Sequence, residues 1–236
     1  MGPRGSPVGR RIFLGMVGLG GAGVLWGSKL AERFNRLVAP VAAMDQTGLT
    51  SLLPASGGFR IYSVVGLPPD PSEADYRLTV TGMVARPLAL TLAELRALPA
   101  TRLVRDFQCV TGWRVPDVPW TGVRLSQVLD AAGVAPGAGA VTFHSFDGVY
   151  TESLSLDQAR RDDVLVAYEM YDEKLSRAHG GPVRLYVAPM YGYKSCKWLG
   201  GIEVTGRPQH EGYWQRRGYD LDAWIGRSNG RDDEPV

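Results

Sequence analysis

The apolar pattern of this chain breaks into short runs, and that limits its fold more than any other feature. Residues 59–65, 76–84, 101–108, 139–146, 163–170, 182–187 and 197–205 each read as a short strand. Only two helical faces lie among them. One follows the capping box Thr91-x-x-Glu94, carries Leu92, Leu95 and Leu98, and stops at Pro99. The other carries Leu125, Val128, Leu129 and Ala132 and ends at Gly133, a suitable C-terminal cap. Asp147-Gly148 signals a hairpin leading to residues 149–151. Gly112, Pro116 and Pro119 predict a loop from Cys109 to Gly122. Helices this short and irregular do not build a regular parallel βαβ array. They predict an α+β domain with a mixed sheet or a compressed barrel.

The 236 residues are enough for one large domain or two small ones, and 44% hydrophobic residues can fill its core. Charge is spread unevenly. Residues 1–43 hold six Lys/Arg and one acid, a net of +5, whereas residues 44–236 hold 20 Lys/Arg and 23 acids, a net of −3. The basic balance belongs to the N-terminus, so it gives no footprint for nucleic acid. Arg10-Arg11, followed by an uncharged, glycine-rich run over residues 12–28, has the pattern of twin-arginine export. A membrane anchor is the competing reading, because 17 residues is at the short edge of a bilayer span. The division expected is a signal or anchor at 1–43, a Gly/Ser/Thr-rich linker at 44–58, a folded domain at 59–210 and an aromatic, charged tail at 211–236 that packs on it. The expected location is the periplasm or another extracytoplasmic space.

Several chemistries are absent from the sequence. There is no GxGxxG after a strand, no GxxxxGK[ST] and no HExxH. The three histidines, His144, His179 and His210, lack metal-ligand spacing. Two places remain informative. Cys109 stands where a strand opens into a loop, with Arg105 and Arg114 nearby. A thiol of ordinary pKa, about 8.5, is lowered by a positive neighbour or a metal. The alternatives for Cys109 are a small buried hydrophobe or, in an exported chain, a disulfide to Cys196. The second place is residues 179–184, HGGPVR, together with residues 191–198, YGYKSCKW. A glycine-punctuated basic loop of this kind can hold a phosphate through lysine, arginine and free amides; a solvated basic loop is the competing reading.

CVTGW at 109–113, VPWTGVRL at 118–125, HGGPVRL at 179–185 and YGYKSCKWLGGIEVTG at 191–206 resemble, in order and spacing, the signature of the sulfite oxidase family of molybdopterin enzymes. The resemblance spans roughly residues 58–210. Within the family it is most similar to the periplasmic methionine sulfoxide reductase catalytic subunit type. It implies a sulfite-oxidase-type molybdopterin-binding domain and an enzyme of oxygen-atom transfer. It implies a molybdenum–molybdopterin cofactor without an added nucleotide, and Cys109 as the thiolate on molybdenum, the catalytic metal position. Tyr62, Ser63, Ser145, His179, Arg184, Ser195, Cys196 and Lys197 match cofactor-binding positions, the last three as the phosphate loop. It separates Cys196 from Cys109 by the cofactor, against the disulfide.

Two departures bear on substrate. Thr111 stands where the reductase type has an acid, and His179 where it has asparagine. Sulfite oxidation would need arginines around an anion, with Arg102, Arg105 and Arg114 as candidates. The cleft around the metal is expected to involve Thr111, Trp113, Tyr150 and Tyr191. The sequence reads as one domain with no haem module. The expected partners are therefore a small-molecule or protein-bound S-oxide and a membrane electron donor, such as a haem protein; no nucleic acid is expected. Sulfite dehydrogenation and a non-catalytic binding module with a Cys109–Cys196 bridge are the alternatives.

Overall fold

A computed structural model describes residues 59–66 and 70–227. The leader and linker readings lie outside these residues. Ten strands form two five-stranded sheets. The first sheet has the order β2-β1-β10-β5-β6. It contains β1 (Leu78–Gly82), β2 (Leu88–Leu90), β5 (Ala140–Ser145), β6 (Thr151–Ser155) and β10 (Leu199–Thr205). β1 and β10 run parallel, with Val80 opposite Ile202, and the other neighbours are antiparallel. The second sheet is antiparallel. It joins β3 (Ala100–Gln108), β4 (Arg114–Arg124) and β7 (Val164–Met170), and β7 pairs with both β8 (Glu173–Lys174) and β9 (Arg184–Val187). The mixed-sheet, short-helix expectation holds.

Strand β7 shows why the layers form. Its sequence VLVAYEM is almost continuously apolar, as a strand covered on both faces must be. Val164, Val166 and Tyr168 enter one core, while Leu165, Ala167 and Met170 enter the other. The period of two assigns alternate residues to opposite faces as far as Tyr168, where a register shift against β4 moves Met170 to the second face. Helix α1 (Leu92–Ala97) has the full capping box: Thr91 accepts from the Glu94 amide, and Glu94 accepts from the Thr91 amide at 2.8 Å. Helix α2 (Leu125–Ala132) buries all four predicted residues and ends at Gly133, where φ is 70°. A short helix α3 (Leu156–Ala159), capped by Ser155, is too brief to leave a periodic signal in the sequence.

Two expectations fail for backbone reasons. Residues 59–65 are not a strand. Ser63 Oγ bonds the amide and carbonyl of Val65, a local turn that competes with pairing. The loop expected from Cys109 to Gly122 is mostly β4, an eleven-residue strand. Its two prolines lie before Trp120, where β4 pairs with β3 alone; pairing with β7 begins at Trp120. A proline lacks the N–H that a second neighbour would need, so an edge-like half-strand tolerates it. The ladder also shifts register between Arg105 and Phe107, facing Asp117 at φ 52°.

Residues 213–225 pack on the two sheets. Trp214, Tyr219, Trp224 and Ile225 lie against the larger core. Tyr213 N–H bonds Thr151, and Tyr191 N–H bonds Ala223.

Candidate active site

Cys109 closes β3 in a tight turn. Its amide donates to Trp113 O at 2.9 Å, and Gly112 N–H returns to Cys109 O at 3.1 Å. Gly112 has φ 91°, a left-handed conformation that explains the glycine. The turn leaves Sγ partly exposed in a cleft of about 460 Å³, with Thr111 Oγ1 donating to it at 3.3 Å. The cleft walls are aromatic. Phe59, Phe107 and Trp113 form one cluster: Phe107 stacks on Trp113 at 5.8 Å, and Phe59 lies edge-on to Trp113 at 6.3 Å. Tyr150, Tyr213, Trp214, Tyr219 and Tyr193 form another, with successive ring centroids 5.3–5.6 Å apart.

The cleft also contains His179, Arg184 and Lys197. Arg184 is fully enclosed and bonds only carbonyls: His179 O at 2.8 Å, Ser195 O at 3.0 Å and Leu185 O at 3.3 Å. It thereby pins the HGGPVR loop to the YGYKSCKW loop. Lys197 Nζ donates to Tyr62 O at 3.0 Å and Ala178 O at 2.9 Å. Among the described residues no carboxylate pairs with either cation. Burial, with Arg184 beside it, holds Lys197 down at about 7. Burial first, then Lys197 and Arg184, keeps the His179 imidazole neutral with a pKa of about 3. Its buried Nε2 has no hydrogen-bond partner. A buried arginine and a half-buried lysine without a counter-charge, beside an orphaned ring nitrogen, form a place prepared for an anionic, hydrogen-bonding group.

Glycines fit these loops together. A Cβ on Gly180 would lie 2.7 Å from Lys197 Cβ, and φ there is 96°. A Cβ on Gly192 would lie 2.5 Å from the Phe107 ring. Glycine at 192 therefore lets the basic loop rest directly on the strand that carries Cys109.

Of the residues predicted from sequence, Cys109, Tyr62, Ser63, His179, Arg184, Ser195 and Lys197 share the cleft. Ser145 and Cys196 do not line it. Ser145 Oγ accepts from Asp147 N–H at 3.1 Å and so shapes the neighbouring turn. Cys196 is fully buried, and burial pushes its thiol well up. Both cysteines are free, so the bridge of the binding-module reading is not formed. The expected nest of amides is also partly spent. Ser195 N–H bonds Gly192 O, Cys196 N–H bonds Lys194 O, and Ser195 Oγ accepts from Val187 N–H. Thr111, Trp113 and Tyr150 line the cleft as expected, but Tyr191 is buried in the core and Tyr193 takes that place. Arg102, Arg105 and Arg114 are not in the cleft. Arg102 holds Asp172 through two bonds of 3.0 Å, and Arg114 faces Asp106 at 3.4 Å.

The sequence reading did not place the tail aromatics in the cleft, and it missed the device that seats them. Lys194, inside the basic loop, points away from the cleft into a fully buried pair with Glu152 at 2.7 Å. It also donates to Ser153 O and Leu221 O, while Gln215 bonds Glu152. A charged residue flanked by Tyr193 and Ser195 gives no sequence sign of being internal.

Comparison with known proteins agrees with this geometry. Residues 65–214 match the family model described as oxidoreductase molybdopterin binding domain. The Bacillus subtilis oxidoreductase YuiH is 38% identical over 63% of this chain and 75% of its own length. Arabidopsis thaliana sulfite oxidase is 31% identical over 62% of this chain and 46% of its own. The Campylobacter jejuni protein-methionine-sulfoxide reductase catalytic subunit MsrP is 28% identical over 60% of this chain and 52% of its own. The match thus covers about half the length of the last two. The sulfane dehydrogenase SoxCD of Paracoccus pantotrophus shares the fold, with a TM-score of 0.55 and 23% identity over 64% of this chain and 42% of that one.

Proposed function

We propose that this chain, which belongs to the oxidoreductase molybdopterin binding domain family and is of its sulfite oxidase type, reduces an S-oxide such as methionine sulfoxide outside the cytoplasm. It is a molybdopterin-dependent oxidoreductase, and its cofactor is the molybdenum cofactor. The residues present fit that group. Among the described residues no three of His, Cys, Asp or Glu converge, so a metal at Cys109 would rely on ligands that the cofactor brings. A soft thiolate suits such a metal. The unpaired cations Arg184 and Lys197, with His179 Nε2, would meet the anionic and polar parts of a pterin phosphate. Tyr62 and Ser63 would flank it from the wall of the cleft. We assign the form without an added nucleotide.

When bound, the cofactor supplies a metal centre able to exchange two electrons and an oxygen atom. The chain supplies position and environment. The turn at 109–113 fixes the sulfur, and Thr111 donates to it. The aromatic walls exclude water and receive the apolar substituents of the substrate. The overall change is balanced as R₂SO + 2 H⁺ + 2 e⁻ → R₂S + H₂O. The electrons come from a membrane donor, such as a haem protein.

One observation favours S-oxide reduction over sulfite oxidation. The cleft is walled by aromatic rings, Arg102, Arg105 and Arg114 lie outside it, and Arg102 and Arg114 are held by carboxylates there. A neutral, partly apolar substrate fits such walls better than a dianion. Arg10-Arg11 supports export of the folded, loaded protein, with 1–43 as leader or anchor, 44–58 as linker and 59–210 as the catalytic domain. The test uses protein purified with its cofactor. Methionine sulfoxide is supplied with reduced viologen, and sulfite is supplied with ferricyanide. Sulfoxide-dependent dye oxidation that disappears in Cys109→Ser is expected. Turnover of sulfite alone would overturn the assignment.

A further inference from the structure

Four large apolar side chains stand exposed among the described residues: Ile61, Tyr62, Val104 and Val149, at 40%, 56%, 41% and 45%. Scattered exposed apolar residues are ordinary. These are not scattered. Ile61 and Tyr62 line the cleft, and Val149 rides the turn from which Asp147 and Tyr150 line it. Only Val104 lies elsewhere, on edge strand β3. Tyr62 would flank the cofactor, which leaves Ile61 and Val149 as the apolar residues of the entrance, where apolar exposure marks a contact surface.

Both sides of this entrance are held in place. On one side, Phe59 is buried and packs on Phe107 at 5.5 Å and edge-on to His179 at 4.9 Å, while Lys197 grips Tyr62 O. Ile61 lies between these two anchors and is left pointing outward. On the other side, Asp147 Oδ1 accepts from both Val149 and Tyr150 amides at 2.8 Å, which fixes Val149 at the tip of its turn.

Charge at the entrance is one-sided. Arg60 is exposed there, next to Ile61. The one carboxylate among the described lining residues is Asp147, with Oδ1 committed to its own turn. The entrance thus presents apolar surface and a cation. Val149 lies outside the cleft lining, so a small S-oxide held inside would not touch it. A polypeptide carrying the S-oxide would lay its neighbouring residues on both Ile61 and Val149.

We propose that this entrance is a subsite for the polypeptide around a methionine sulfoxide, selecting segments with apolar residues beside it and disfavouring lysine or arginine there. Ile61 and Val149 determine the apolar preference, and Arg60 the charge preference. The inference rests on the S-oxide reading and adds which polypeptides that site accepts.

The test uses the cofactor-loaded enzyme with reduced viologen as electron donor. The substrates are dimethyl sulfoxide and three short peptides carrying methionine sulfoxide between two leucines, two serines or two lysines. The leucine peptide is expected to exceed the serine peptide in kcat/KM by about tenfold, the low end of discrimination by a small apolar contact. The lysine peptide should fall below both. In Val149→Ser the leucine advantage falls while turnover of dimethyl sulfoxide is retained, and in Ile61→Ser/Val149→Ser the leucine advantage disappears. In Arg60→Glu the lysine penalty reverses. Equal kcat/KM for the leucine and serine peptides in the wild type, or a leucine advantage that survives the double substitution, would overturn the subsite. Failure to reduce every S-oxide, dimethyl sulfoxide included, would overturn the S-oxide reading itself and the subsite with it.

Discussion

Replacing Lys194 by methionine removes the cation from a pair in which neither side chain has any exposed surface. The ammonium holds three partners: Glu152 Oε1 at 2.7 Å, Ser153 O at 2.6 Å and Leu221 O at 3.0 Å. Burial alone drives Lys194 toward losing its proton, and the Glu152 carboxylate opposes that. Without Lys194, Glu152 keeps only Gln215 Nε2 and the Ser153 amide, both neutral donors. Stranding a buried charge in this way costs about 3–5 kcal/mol. In Glu152→Gln/Lys194→Met no charge is stranded, so most of that loss should return. Urea unfolding of wild type, single and double variants measures both quantities, with tail fluorescence from Trp214 and Trp224 as a second probe. A single variant within about 1 kcal/mol of wild type would place this pair in the class of exposed bridges and refute the reasoning. So would a double variant no better than the single.

Four further outcomes follow from the same structure. Lys197 has a folded pKa of about 7, below its unfolded value, so above pH 7 the unfolded chain holds the extra proton. Stability of cofactor-free protein should therefore rise from pH 7 to about 9, and the rise should vanish in Lys197→Met. By the same sign, His179 at about 3 makes stability fall as pH drops from about 6.5 toward 3, and His179→Gln should flatten that fall in acid titration. Gly192→Ala puts a Cβ 2.5 Å from Phe107, so it should lower the melting temperature and disturb the near-ultraviolet aromatic signal, because neither the loop nor the strand can retreat cheaply. In cofactor-free protein, iodoacetamide should modify Cys109 quickly and Cys196 only on unfolding, since one thiol faces the cleft and the other is buried with its pKa pushed up. Mass spectrometry of the labelled peptides reads both.

How far these features could be read beforehand depended on the range of the interactions that make them. Thr91 with Glu94 and the Gly133 cap are local, so the helices they bound were legible. The alternation in β1 and the continuous apolar run of β7 report burial through a period of two, and both were read correctly. β4 was not, because Pro116 and Pro119 say only that an amide is missing; which edge of the strand has a neighbour depends on β7, some fifty residues later. Residues 59–65 look strand-like by composition, yet Ser63 closes a local turn and Lys197 takes the Tyr62 carbonyl. The motif residues of the site came together at Cys109, His179, Arg184 and Lys197. Ser145 and Cys196, adjacent to cleft residues, act behind it instead. Lys194 and Lys197 carry the same charge three positions apart, but one is internal to the tail's support and the other faces the cleft. No pattern in the sequence separates them.

The account rests on Cys109 as the protein's bond to molybdenum. Molybdenum analysis with X-ray absorption spectroscopy on folded wild type and Cys109→Ser, expressed with the leader in a cofactor-competent host, tests this most directly. The account predicts molybdenum in the wild type with a sulfur shell that loses one member in the variant. Folded wild type without molybdenum, or a sulfur shell identical in the two proteins, would contradict it.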